Sequence, residues 1–340
     1  MLRNDYTLQK SAQCTKPGQE IQSRLNLPNT FSILRVNQLL PHTGTLVRIF
    51  WRIVLSLFLF QTVPIRAQTA PEAASHWTFL PGRPIFPTLP ASYEEPRTGI
   101  IKDGSTAHMK LDIGSSLELL EFRLREDSTE RIHFGAELFT YALTTSNQGL
   151  RLQVDAVDGY FGGHVTYRLQ HSRSAYALRL RILHLSSHFL DGHYDLHQNM
   201  WLNGLEPTPL ARDYGELTGA YIWGSTPAEL MVYAGFSQAT LIRPPTMKRL
   251  NVLCGFSAHT GNWIGPLFGS PVHVYAADHY SLWGLETLSG TNMFEAGVKL
   301  GGWDSSGIRI FLSHHAGLEV FHQYFDTKDA DWGMGFAFDL

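Results

Sequence analysis

His184 and Ser186, within the run His184-Leu185-Ser186-Ser187-His188, are the residues of this 340-residue chain whose types and spacing come nearest to a catalytic arrangement. In an extended strand, residues two apart share a face. The imidazole and the hydroxyl then stand side by side as base and nucleophile. The face is that of Leu178, Leu180 and Ile182, an apolar one. The competing reading is a polar rim at a strand end, where His and Ser do no chemistry. A second cluster follows at Asp191, His193, Asp195 and His197. Imidazole and carboxylate ligands four residues apart hold a transition metal when they lie on a helix. In a chain with 16 histidines a hydrated loop explains them as well, and we expect no metal and no cofactor. His314 and His315 are adjacent, point to opposite faces, and cannot chelate together.

Two cysteines, Cys14 and Cys254, exclude a disulfide scaffold and a multi-cysteine zinc site. Cys254 shares a face with Leu250, Val252 and Phe256 and reads as a buried or lipid-facing thiol. Gly162-Gly163 and Gly301-Gly302 lie inside strand patterns, where bulges or close backbone approach explain them. No Gly-x-Ser-x-Gly elbow and no phosphate-loop motif occurs.

The elements that would carry these residues are strands. From residue 106, Ala107, Met109, Leu111, Ile113, Leu117 and Leu119 occupy one face, and Thr106, His108, Lys110, Asp112, Ser116 and Glu118 the other. The same period of two places Leu150, Leu152, Val154 and Ala156 together, then Phe161, Val165, Tyr167 and Leu169, then Tyr176, Leu178, Leu180 and Ile182. It returns at Phe294, Ala296, Val298 and Leu300, and the chain closes on Trp332, Met334, Phe336, Phe338 and Leu340. Turn chemistry at 171–174, 224–227 and 304–307 separates strands, while residues 187–213 form a long connection.

Strands of about ten residues joined alternately by short turns and longer loops define an all-β, antiparallel transmembrane barrel. About eleven candidate strands lie between 106 and 340. An even number is the rule for bacterial barrels, so twelve are expected, with ten as the alternative. Trp201, Tyr214, Tyr221, Trp223, Tyr280, Trp283, Trp303 and Tyr324 are expected to form interfacial girdles. A soluble β-sandwich would share the alternation. Mid-strand charges at Lys110, Asp112, Arg179, Arg181 and Lys299 favour a wet lumen instead. Hydrophobic residues make up 44% of the chain and charged ones 17%, against about 25% charged in an average globular chain. Alternation accounts for this shortage, since every second barrel residue is barred from carrying a charge. Mean hydropathy is −0.11, which excludes a bundle of membrane helices.

Upstream, Arg48 and Arg52, the apolar run Ile53–Phe60, Pro64 and Ala67 follow the order of a secretory signal peptide, over 46–67 with cleavage after Ala67. Residues 1–45 show no sustained period and read as a non-native or disordered extension. Residues 1–67 hold eight basic and two acidic residues, so their removal takes the net charge from −3 to −9. An acidic exported chain does not bind nucleic acid. Residues 68–105 form a proline-rich lead-in, with Pro81, Pro84, Pro87, Pro90 and Pro96, that is expected to pack in or under the barrel as a plug; the barrel itself is placed at 106–340.

The runs FLPGRPIFPTLPASYEEPRTGI, HLSSHFLDGHY and LSHHAGLEVFHQYF resemble the bacterial family catalogued as domain of unknown function 1207, over roughly residues 76–340. The resemblance implies an outer-membrane barrel-like fold with no assigned activity. Where those relatives carry an Asp-Glu pair after Ser-Ser-His, this chain reads Asp191-Gly192-His193. Locally, His184-x-Ser186 is similar to the His-x-Ser of the lipid A 3-O-deacylases, barrels whose active site faces lipid. That resemblance implies His184 as base, Ser186 as nucleophile and, by position on a neighbouring strand, Glu216 as the acid. It departs from the family at Ser187, where an asparagine is expected.

Three functions follow. The first is a structural or channel-like outer-membrane barrel that takes small solutes. The second is a lipid-modifying hydrolase, and the third a surface binding protein using the 187–213 loop. The expected partners are outer-membrane lipid and, from the alternating aromatic C-terminus, the barrel assembly machinery.

Overall fold

A computed structural model describes residues 76–104, 108–125, 128–147, 151–195, 197–225, 228–261, 264–284 and 287–339. The leader segments 1–45 and 46–67 and the terminal Leu340 lie outside the described residues. The strands are β1 (His76–Phe79), β2 (Thr98–Asp103), β3 (Met109–Arg123), β4 (Glu130–Asn147), β5 (Arg151–Gln170), β6 (Ser174–Phe189), the two-residue β7 (Tyr194–Asp195) and β8 (Met200–Trp201), β9 (Leu210–Ser225), β10 (Ala228–Arg243), β11 (Leu250–Gly261), β12 (Val272–Trp283), β13 (Ser289–Gly301), β14 (Gly307–Leu318) and β15 (Lys328–Asp339). Among the described residues no helix is long and apolar enough to cross a membrane.

Twelve of these strands close a ring. β2 through β6 and β9 through β15 each pair antiparallel with the next, and β15 pairs with β2, Phe338 opposite Thr98 and Gly333 opposite Asp103. Closure leaves no continuous sheet edge. β1 lies outside the ring, paired to the far end of β3 with His76 opposite Arg123. The start of β2 and the end of β15 share one end of the barrel, called here the terminal end; the 190–209 and 319–327 connections are at the opposite, loop end.

Eleven of the ring strands lie in the region where the alternation runs, and the twelfth, β2, falls in the proline-rich lead-in. The barrel therefore begins at Thr98, earlier than the period-two pattern indicates. β2 has only six residues, too few for alternation to stand out against the prolines around it.

Apolar residues face outward. Ile182 is 66% exposed, Leu138 71% and Met334 61%, while Lys110, Asp112, Arg179, Arg181, Glu295 and Lys299 are buried on the inner face. This is the inverse of a soluble sandwich: the outer surface is one that lipid solvates. Cys254 is exposed on the outer side with Leu250, Val252 and Phe256.

Two expectations need correction. Ala156 does not continue the face of Leu152 and Val154. A register shift opposite Leu143 and Thr144 turns it inward, where it is fully buried while Leu152 is exposed, because a bulge reverses the parity of every later residue. Nor do all the proposed girdle aromatics reach the outer surface. Tyr221, Trp223 and Tyr280 do, but Tyr214 and Trp283 are buried inside, on the lumen parity of their strands.

Residues 85–97 run inside the barrel, reached from β1 through the exposed stretch 80–84. Leu80 N–H donates to Leu119 O, and Arg168 donates to Ile85 O. Phe86 and Leu89 pack among Ala177, Ile222, Met231 and Leu253. Ala91 and Tyr93 belong to a larger buried cluster that also holds Tyr141, Tyr214, Trp283, Val320 and Phe321. Burial of each large apolar side chain contributes about 1.5–3 kcal/mol, against a cost of about 1–2 kcal/mol for each backbone residue held in place. Packing alone scarcely holds such a segment, and the ion pairs below fasten it.

Candidate functional site

The lumen is crossed by ion pairs between the 85–97 segment and the wall. Arg179 holds the Glu95 carboxylate with both terminal nitrogens, Nη1 to Oε2 at 2.9 Å. Arg181, only 1% exposed, donates to Glu137 at 2.5 Å and to the Glu94 carbonyl at 3.0 Å, and lies 3.5 Å from both Glu95 and Glu216. Arg97 pairs with Glu295 at 3.0 Å and Asp112 at 3.6 Å; Arg309 joins Glu295 to Asp339, and Lys299 ends the chain of charges on Asp339 at 2.6 Å. The mid-strand charges read as lining a wet lumen are thus buried and largely matched. Burial of such groups is tolerable only when they are paired.

A second chain of polar contacts leads from the terminal end into this network. His133 has Glu121 on Nε2 at 2.9 Å and Glu118 on Nδ1 at 3.1 Å; His164 has Glu118 on Nε2 at 3.1 Å and Glu137 on Nδ1 at 2.9 Å. Glu118 bridges the two rings, and Glu137 passes the chain on to Arg181. Gly135 makes room for it, since a Cβ there would lie 2.3 Å from the His164 ring. A cavity of about 140 Å³, lined by Glu95, Arg97, Glu118, Glu137, His164 and Arg179, sits between the segment and the wall.

The loop end is closed by the 319–327 connection, which turns inward. His322 is fully buried and donates its backbone N–H to Asp158 Oδ2 at 3.0 Å, with Nδ1 2.8 Å from the same oxygen. Gln323 donates to the carbonyls of Ser187 and Thr208, both at 2.8 Å. Tyr324 donates to Asp155 at 2.6 Å, and Asp155 also meets His193 at 2.5 Å. His193 stacks on Phe189 at 3.7 Å, so the 190–209 and 319–327 loops are tied through one carboxylate.

Glu319 opens the inward loop. Burial, with Asp329 and Asp103 nearby, pushes its carboxyl up to about 7, against the opposing N–H groups of Val320 and Phe321. A raised carboxyl favours the protonated, folded form, so its contribution to holding the loop is complete below the ordinary value near 4.5 and is lost as pH rises through about 7. Cleavage within 319–327, compared between the native chain and Glu319→Gln at each pH, is expected to rise from pH 5 to pH 8 in the native chain only.

His184 and Ser186 lie on the outward face of β6, as their spacing predicts. His184 Nδ1 is 2.5 Å from Asp213 Oδ1, and the His184 ring lies 4.8 Å from that of Phe161. Ser186 stands opposite Gly159 on β5 and Ala211 on β9, two small residues that leave its hydroxyl uncrowded. No hydrogen bond joins Ser186 to His184 among the described residues. Glu216 is not the third member. It faces the lumen opposite Arg181, is 2% exposed, and accepts from Thr218. The cross-strand neighbour of His184 is Asp213, three residues earlier and on the other face.

Asp191, His193, Asp195 and His197 do not form a ligand set. Residues 191–193 make a single 3-10 turn followed by β7, so a spacing of four has no helix to act on, and His193 is taken by Asp155. Among the described residues no group of three or more His, Cys, Asp or Glu side chains is placed to hold a metal ion. Sequence reading missed Asp213, Glu94, Glu95 and Arg212. The adjacent acids inside an otherwise apolar, proline-rich run were the available signal for the first pair of lumen contacts.

These features define the class: a closed antiparallel barrel of twelve strands with an apolar exterior, a charged interior, and its own chain inside. No family model matches the sequence, and no curated protein matches it. Among solved structures, the chain is similar to the β domain of the Bordetella autotransporter Brka, with 12% identity, TM-score 0.37, and coverage of 72% of this chain and all of that one. It is also similar to OccAB1 of Acinetobacter baumannii, with 8% identity, TM-score 0.32, and coverage of 71% and 74%. The fold class itself rests on the pairing of the twelve strands.

Proposed function

We propose that the chain is a Gram-negative outer-membrane barrel, exported by a cleaved signal peptide and inserted by the barrel assembly machinery, that serves as a channel for small solutes. Two of its own segments in series hold it shut at rest. One observation carries this reading: Ala91 and Tyr93 from the internal segment and Val320 and Phe321 from the inward loop belong to a single buried cluster across the lumen. The alternating outward residues of β15 support the assembly step, and the resemblance to domain of unknown function 1207 implies the same placement. Planar-bilayer recording tests the closure: the native chain is expected to be silent, and a chain with both segments freed to conduct in discrete steps.

A second reading is favoured by the contact between His184 and Asp213. On the lipid-facing side, Asp213 orients the imidazole, His184 accepts the Ser186 proton, and Ser186 attacks the carbonyl of a membrane-lipid ester. The lipid alcohol leaves with the proton from His184, and water then releases the acyl group from Ser186 as a free fatty acid. Mass spectrometry of lipid A from cells expressing the chain is expected to show loss of one acyl group. Ser186→Ala and Asp213→Asn should each abolish the change. Unaltered lipid with the native chain removes this reading.

A further inference from the structure

We propose that Arg179, Arg181 and Arg212 form a binding site for an extended dicarboxylate solute, which the chain's own Glu94–Glu95 pair occupies in the closed state. The inference rests on the reading of the lumen as a solute path.

Three buried guanidinium groups project inward from two neighbouring strands, Arg179 and Arg181 from β6 and Arg212 from β9. Among the described residues the wall supplies two carboxylates to them: Glu137 is bound to Arg181, and Glu216 lies 3.5 Å from Arg181 and 3.7 Å from Arg179. The rest of their acid comes from the internal segment. Glu95 is clasped by Arg179, and Glu94 faces Arg212 at 3.9 Å and Tyr214 at 3.5 Å. When the segment leaves, Arg212 has no carboxylate and Arg179 keeps only the more distant one. Guanidinium groups stripped of these carboxylates present unmatched positive charge, in planar forks suited to an anion, to a solute in the lumen.

The occupant fits the site imperfectly. Nε of Arg179, Nε of Arg212 and Oε1 of Glu94 are buried without a hydrogen-bond partner, and the contact between Arg212 and Glu94 is longer than a hydrogen bond. A carboxylate tied to the backbone at residue 94 cannot reach the donors that a free solute could. Register fixes the ligand's shape. Arg212 stands opposite Leu185, four positions along β6 from Arg181, which is about 13 Å at 3.3 Å per residue. One carboxylate cannot serve both ends, whereas two on a flexible linker can. Each Arg presents a planar fork suited to a carboxylate.

The test uses adipate as the probe, on the full chain folded in detergent. Glu94→Ala with Glu95→Ala should lower the melting temperature, and adipate should restore it while acetate at equal carboxylate concentration does not. In equilibrium dialysis the native chain should bind little adipate and the double variant markedly more, with the gain lost when Arg179→Met and Arg212→Met are added. If the alanine pair does not fold, Glu94→Gln with Glu95→Gln is measured in the same way and must bind more adipate than the native chain. A folded variant that binds no adipate, or whose binding survives loss of both arginines, overturns the proposal. Adipate binding in a chain that never conducts would overturn the channel reading and leave the site standing.

Discussion

Replacing Arg181 by alanine is expected to cost about 3–5 kcal/mol of unfolding free energy, the largest effect of any single substitution in the lumen. Its guanidinium is 1% exposed and serves Glu137, Glu216, Glu95 and the Glu94 carbonyl. Alanine removes the partner and leaves Glu137 and Glu216 buried, with His164 the remaining partner of Glu137. The cost is that of uncompensated charge more than of a lost contact. Equilibrium urea unfolding in detergent, followed by tryptophan fluorescence, measures it as a fall in midpoint at unchanged slope. Pairing Arg181→Met with Glu137→Leu should recover part of the loss, because apolar groups of similar volume often replace a buried ion pair at little cost. An Arg181→Ala midpoint within error of the native one would mean that the lumen is hydrated and the network solvent-screened.

The second large effect lies on the opposite face. Leu180→Arg on β6 places a charge among Leu178, Ile182 and the outward residues of β9, and should cost about 2–4 kcal/mol near mid-bilayer. The neighbouring native residues 179 and 181 are arginines that the fold buries and pairs, so a shift of one position in the same strand reverses the sign of the outcome. Period-two geometry and a lipid exterior produce that contrast, whereas in a water-soluble sandwich the outward position would accept arginine freely. Urea unfolding in lipid vesicles and in detergent separates the two cases, and equal stability of native and variant chains in vesicles contradicts a lipid-facing β6.

Much of this architecture was legible from alternation. The outward set Trp332, Met334, Phe336 and Phe338 and the inward pair Arg179 and Arg181 stand where the period puts them, because a half-buried strand carries its environment in its own sequence. What spans strands was not legible. Asp213 reaches His184 only through the register between β6 and β9, and no spacing in the sequence encodes that register; Glu216 looked equivalent because both acids precede the same apolar run. Ala156 was misplaced because a bulge flips parity without leaving a compositional mark. β2 was hidden by its brevity. The internal segment was visible as proline-rich and apolar, yet its fastening by Glu94, Glu95 and Arg97 depends chiefly on Arg179, Arg181, Arg212 and Glu295, which lie more than eighty residues away in the chain. The 319–327 loop carries Val320, Phe321, Tyr324 and Phe325, a mark of burial, but its inward turn becomes visible only when His322 is seen on Asp158.

Closure in series is the central claim, and single-channel recording tests it most directly. Four chains are compared in planar bilayers: the native one, one with residues 84–95 replaced by a Gly/Ser linker of equal length, one with residues 320–325 so replaced, and one with both. Current through two barriers in series is set by the one that remains, so each single replacement should stay near the native baseline and only the double replacement should show frequent discrete openings. Steady conductance by the native chain, or silence of a folded, membrane-inserted double replacement, would contradict the account.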